Sequence, residues 1–316
     1  MTGKMVVFME NRVFPDNTRI RLYGISDEKL RRPMPFTLLE CIGTGAGCVA
    51  YSALSEEGIP VRLKQFRPAG VDLRGETYRR LSERFVQAYR QQLEMMTDER
   101  TSAVTSALYG LYRDESGLYW TSVNAMFGRT LDKYLSDRSF EQSLEIIRRI
   151  AEAVKAYHDA GWLLLDIKPS NILVIDSLGI RGINFFDFDS FIRISELEQA
   201  VAERRRLLLS SSEFYSAPEL LENEVDLSEV GTAADVYSVG AILFTALFGR
   251  APELFDCIPG TVYDYSESSL PGAESMEPAV RAALTEFFHR TLSISPADRF
   301  ETDDSLLSAL DRILRM

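Results

Sequence analysis

Histidine and cysteine are scarce in this chain, with two of the first and three of the second among 316 residues. His158 and His289 both read as structural, which leaves little room for a histidine-activated nucleophile. Cys41, Cys48 and Cys257 have no metal-like spacing and suggest no disulfide framework, so the expected compartment is reducing, the cytoplasm. A basic excess is also missing: the net charge is −12, which argues against nucleic acid or an anionic membrane as a partner. The longest apolar run, Val239 to Phe248, is about half a bilayer span and reads as a buried helix. Met1 to Arg12 lacks a basic start followed by an apolar run, so no signal peptide is expected.

What remains is a globular composition, 46% hydrophobic and 26% charged, with room for two packed lobes. Residues 1–35 hold a β-leaning piece (Met5 to Met9), a turn around Pro15-Asp16-Asn17 and a second β-leaning piece (Arg19 to Tyr23). Strand-like Phe36 to Ile42, the turn Gly43-Thr44-Gly45-Ala46-Gly47-Cys48 and a strand from Val49 to Ala53 form a hairpin. Glycines that join two strands do not open a helix, which excludes the dinucleotide-binding and Walker arrangements. Such glycines let backbone amides approach phosphate, and the next strand, Val61 to Phe66, carries Lys64. A helical period follows from Leu81 to Met96. A hairpin from Leu108 to Val123 comes next, and Asn124 to Gly128 reads as a hinge. Beyond it helices dominate, including a long one from Phe140 to Ala160 stopped by Gly161.

The chain is organised around Gly161 to Phe191. Asp166, Lys168, Asn171 and Asp187 sit beside two short apolar strands, a costly placement unless a metal ion, a phosphate or a hydroxyl substrate pairs them. Carboxylates with an amide and an ammonium are the groups that metal-assisted phosphoryl transfer uses.

This pattern, D-x-K-P-x-N followed by Asp187-Phe188, resembles the eukaryotic-like, bacterial-type protein Ser/Thr kinase family. So do the hairpin with Lys64, Ala217-Pro218-Glu219, Asp235 on an apolar helix, and Arg299. The resemblance implies an α+β bilobal fold: an extension over 1–35, a small β-rich lobe over 36–124 and a large, mainly helical lobe over 125–316. It implies ATP and Mg²⁺, with a protein Ser/Thr hydroxyl as acceptor. Gly43, Gly45 and Lys64 would then lie on the phosphates. Asp166 would orient or accept the acceptor proton, Lys168 would neutralise charge, and Asn171 and Asp187 would bind the metal and nucleotide. Glu219 and Arg299 would form a buried pair. A partner for Lys64 is open between Glu94, Gln92 and Glu83.

The chain departs from the family pattern in four places. Cys48 replaces the third glycine, Leu164-Leu165 replace His-Arg before the catalytic aspartate, and Asp189 replaces the glycine after Asp187-Phe188. Loss of that arginine makes switching by loop phosphorylation less expected. Arg204-Arg205-Arg206 reads as a solvated run, and Ser210-Ser211-Ser212 as a loop, either open to modification or plain. The alternative to an active enzyme is a pseudokinase, a nucleotide-binding or scaffolding module without transfer. A small-molecule kinase would have to treat Ala217-Pro218-Glu219 and Arg299 as coincidence.

Overall fold

Period-two alternation of apolar residues makes strands of the first part of the chain. The computed structural model describes residues 13–25, 33–45, 47–124, 128–136, 138–177, 180–207, 209, 211–212, 214–221, 224–253, 270–272 and 274–316. Strands β1 (Thr18–Gly24), β2 (Met34–Thr44), β3 (Cys48–Ser55), β4 (Pro60–Phe66), β5 (Leu108–Arg113) and β6 (Tyr119–Asn124) pair in the order β1-β2-β3-β4-β6-β5. β1 bonds to β2 on one side and to β5 on the other, with Tyr23 opposite Arg113, so the sheet closes into a barrel. The expected piece Arg19 to Tyr23 thus lies in β1, while Met5 to Met9 lies outside the described residues.

Leu22, Phe36, Leu38, Val49, Tyr51, Val61, Leu63 and Trp120 fill the barrel. Each large apolar side chain removed from water stabilises by roughly 1.5–3 kcal/mol. Tyr51 stacks on Trp120 with ring centroids 5.9 Å apart. The indole Nε1 donates to Asp114 Oδ2 at 2.9 Å, so the barrel's largest side chain leaves no stranded donor. Helix α1 (Glu76–Thr97) covers an outer face of the sheet. Its buried residues Tyr78, Ser82, Phe85, Ala88, Gln92 and Met95 recur at helical spacing, and Phe85 stacks on Phe66 of β4 at 5.0 Å.

By contact the chain divides into two units, one holding β1 to β6 with α1 through Met96, the other holding residues 97–105 and everything from Gly128 onward. A first lobe running unbroken to 124 does not match this division. Residues 97–105 join the second unit because Thr105 Oγ1 shares a hydrogen bond with the Tyr157 hydroxyl (2.8 Å) and Asn184 donates to the Ala103 carbonyl (3.3 Å). The middle of the expected hinge, 125–127, lies outside the described residues.

Helices α2 (Leu131–Leu135), α3 (Phe140–Asp159), α4 (Ile194–Ala202), α5 (Thr232–Phe248), α6 (Pro278–Thr291) and α7 (Asp303–Leu314) build the second unit. Strands β7 (Arg129–Thr130), β9 (Ile172–Ser177) and β10 (Ile180–Phe185) form one small sheet in it, and β8 (Trp162–Leu163) pairs with β11 (Ile192–Arg193). Ser139 starts α3 with a reciprocal cap to Gln142, which satisfies two otherwise orphaned donors. α5 is buried from Ala234 to Phe244, as expected of a helix apolar on every side. At Gly240 an added Cβ would meet the Thr291 Cβ at 2.4 Å, so only glycine lets α5 and α6 approach this closely.

Candidate active site

After β8 the chain turns back through Leu164-Leu165-Asp166, and α5 holds that turn by its backbone. Asp235, fully buried, accepts the amides of Leu164 (2.8 Å) and Leu165 (2.7 Å). The same carboxylate meets His158 Nε2 at 2.9 Å, and His158 Nδ1 meets Asp303 at the start of α7 at 2.9 Å. Burial pulls the imidazole pKa down, but hydrogen bonds and charge from both aspartates outweigh it and push the value up to about 9. His158 is therefore a charged brace between two carboxylates, the structural role its position suggests. Leu165, buried, takes a left-handed φ of 64°, and Ser190 Oγ fixes the Leu164 carbonyl at 2.8 Å.

Asp166 and Lys168 are in direct contact. Lys168 Nζ donates to Asp166 Oδ2 (2.7 Å) and to Ser212 Oγ (2.6 Å). Asp166 Oδ1 is buried and has no hydrogen-bond partner among the described residues. A short helical turn, Pro169–Asn171, brings Asn171 under this loop, where its side-chain amide donates to the Asp166 carbonyl at 3.4 Å.

The β9–β10 hairpin then fixes Asp187. Ile172 pairs with Phe185, and Phe186 N donates to the Asn171 carbonyl at 3.1 Å, which places Asp187 one residue beyond Asn171's partner. Asp187 is exposed, with φ of 77°. Asp189 takes no positive φ, so aspartate in place of glycine meets no left-handed demand there. Phe188 is buried against Phe191 at 4.8 Å. The Asn171 amide nitrogen is committed to Asp166, which leaves its oxygen as the end suited to a cation. That oxygen and the Asp187 carboxylate are hard donors of the kind Mg²⁺ takes.

In the first unit, Gly45 N closes the glycine hairpin on the Cys48 carbonyl at 2.8 Å, and Ala46 at the tip lies outside the described residues. An added Cβ would meet nothing within 4 Å at Gly43 or Gly47, and at Gly45 only a carbonyl at 3.9 Å. The chain's own packing therefore places no demand for glycine here, and the bare backbone suits close approach by something else. Cys48 packs against the cluster that includes Phe66 and Phe85, so its side chain belongs to the α1-facing side.

Val61, Leu63 and Gln65 of β4 are buried and lie on one side of the strand. Lys64 lies on the opposite side, paired with Ala50 and Thr121. Of the three candidates on α1, Glu83 and Glu94 are exposed, whereas Gln92 is buried and donates to the Ser106 carbonyl at 2.9 Å. None of the residues buried along α1 is acidic.

Two neighbours of the site escape sequence reasoning. Arg62 shares the Lys64 side of β4, one pleat further along, and burial pulls its guanidinium below its usual value. The strand's period-two pattern could have flagged it. Ser212 lies 44 residues from Lys168, and nothing local in the sequence announces that bond. Further along, Glu219 receives both guanidinium arms of Arg299, at 2.7 and 2.8 Å. The remaining Arg299 donors reach the carbonyls of Ser293, Ala233 and Ile294.

Residues 36–306 match the family described as protein kinase domain. The chain belongs to that family. Serine/threonine-protein kinase 17A of Oryctolagus cuniculus is 26% identical over 203 residues, covering 63% of this chain and 49% of the relative. Serine/threonine-protein kinase A of Synechocystis sp. is 24% identical over 293 residues, covering 88% of this chain and 53% of the relative. The kinase domain thus spans about half the length of these curated relatives. The crystal structure of the Mycobacterium tuberculosis PknI kinase domain aligns over 88% of this chain and 96% of that one, at 18% identity and a TM-score of 0.57, a likeness of fold. The fold is the α+β, bilobal protein-kinase type, strand-rich in its first unit and mainly helical in its second. Among the described residues no helix is long and apolar enough to cross a membrane.

Proposed function

We propose that this kinase domain transfers the γ-phosphoryl group of ATP to Ser or Thr hydroxyls of a protein. The observation that carries the reading is the state of Asp166. One carboxylate oxygen is held by Lys168, while the other is buried with no partner among the described residues. A buried, unsatisfied carboxylate oxygen is costly in a structure with no use for it, and an acceptor hydroxyl is the donor it lacks.

Asp166 Oδ1 receives the proton of the attacking hydroxyl, and Lys168 offsets charge on the transferred group. Asn171 and Asp187 would hold Mg²⁺, which supplies neutralisation of phosphate charge. Two protein oxygens are few for such an ion, and Mg²⁺ ordinarily completes its shell from water and substrate phosphates. In the first unit, the amides around Gly43 and Gly45 and the Lys64 ammonium are suited to the nucleotide phosphates. The acidic chain and its three cysteines fit a cytoplasmic enzyme with a protein partner, not a nucleic acid or membrane one.

Radiolabelled ATP with Mg²⁺ and casein tests this directly. Label on casein that disappears in Asp166→Asn supports the enzyme. Nucleotide-induced thermal stabilisation without any label transfer overturns it in favour of a pseudokinase. Two observations favour that second reading: the buried side of α1 carries no carboxylate, and Arg62 stands beside Lys64.

A further inference from the structure

We propose that Arg62 reads the base of the bound nucleotide and favours a 6-oxopurine, so that the domain takes GTP ahead of ATP; this rests on the reading above, which puts the nucleotide phosphates on Gly43, Gly45 and Lys64. Strand register carries the argument. On the outer face of the barrel, Gly43, Ala50, Lys64 and Thr121 stand side by side across β2, β3, β4 and β6. The next row on that face, one pleat away, is Ser52, Arg62 and Val123. One pleat in the other direction lie Cys48 and Phe66, and there α1 closes the face with Tyr78 and Phe85. A ligand with its phosphates on the glycines and Lys64 therefore extends along β4 toward Arg62, away from the covered end.

Two strand residues span roughly 7 Å, the kind of interval a ribose puts between phosphate and base. Arg62 is half-buried and flanked by the short side chains of Ser52 and Val123, and burial pulls its guanidinium below its usual value. Partial desolvation strengthens each hydrogen bond such a group makes to a ligand. A guanidinium carries five N–H donors in a planar fork and no acceptor. Guanine presents two adjacent acceptors, O6 and N7, which the fork meets together. Adenine sets N7 beside an amino group, so one arm of the fork would oppose another donor. Lys64 and the glycine amides hold the phosphates alike in both nucleotides, so ATP is still accepted and the base alone makes the difference.

The test measures casein labelling by the full chain from γ-labelled ATP, GTP and ITP with Mg²⁺, together with the thermal shift that each diphosphate gives. GTP should exceed ATP by roughly tenfold or more in kcat/KM, and ITP should follow GTP because it keeps O6 and N7. Arg62→Ala should remove that preference, and so should Arg62→Lys, which keeps the charge and lacks the fork; melts without nucleotide establish that both variants fold. A wild-type preference for ATP overturns this proposal and leaves the kinase reading intact. Equal weakening of all three nucleotides in Arg62→Ala puts the arginine on the phosphates and overturns base reading, as does a GTP preference that survives in either variant. Larger stabilisation by GDP and IDP than by ADP, lost in both variants and without label from any triphosphate, supports base reading and overturns transfer. No label and no stabilisation by any nucleotide overturns both together.

Discussion

Leu165 and Asp187 both hold left-handed backbone, at φ of 64° and 77°, a conformation that costs side-chain-bearing residues of order 1–3 kcal/mol each. Asp235 offsets that cost at Leu165 by gripping two successive amides, so the strain is held beside Asp166 and Lys168. Single side chains in this neighbourhood should consequently separate chemistry from stability. Asp166→Asn should lower casein phosphorylation by roughly 10²–10⁴-fold with little change in melting temperature, since the amide keeps the shape and can still bond Lys168 through its oxygen. Lys64→Met should lower turnover by orders of magnitude while the fold survives, because the lysine lies outside the barrel core. Activity assays paired with thermal melts check both variants, and an Lys64→Met protein that unfolds globally would remove that lysine from the nucleotide-binding role.

At the scale of elements, two charge networks hold the second unit together. The Arg299 side chain is fully buried, and its five N–H donors all reach Glu219 or backbone carbonyls. Arg299→Ala strands the Glu219 carboxylate and should cost roughly 3–5 kcal/mol, read as a lower urea midpoint with an unchanged slope. The second network joins α3, α5 and α7 through His158. Its pKa rises from 6.5 in the unfolded chain to about 9 in the fold. The protonated imidazole therefore contributes fully below about pH 6.5, and that contribution is lost as the pH climbs through 9, amounting to about 3 kcal/mol. Urea midpoints should fall between pH 7 and 10, and Asp303→Asn should flatten that decline. A midpoint independent of pH across this window would mean the imidazole is neutral.

Across the whole molecule, sequence reading reached what is local and stopped at what is distant. The glycine hairpin, Asp166 to Asn171, Ala217-Pro218-Glu219 and Arg299 sit in short windows where residue type and spacing suffice. The pairing of Tyr23 with Arg113, the contact of His158 with Asp303, and the bond from Lys168 to Ser212 join residues 44 to 145 positions apart. No periodicity encodes such pairings; they follow from tertiary packing. The same reason explains why residues 97–105 join the second unit although their neighbours in sequence belong to the first. One prediction belongs at this scale. Removing residues 1–24 deletes β1, opens the barrel and exposes Phe36 and Leu38. The truncated protein should melt earlier and bind a dye for apolar surface, while an unchanged melt would show β1 to be dispensable.

That encircling strand also sets what the first unit can recruit. Tyr23 and Gly24 of β1 take the edge of β5 opposite Arg113 and Tyr112, so an extended peptide cannot be stitched on as an additional strand at that seam. Copies of the chain are likewise spared rim-to-rim clumping at that seam.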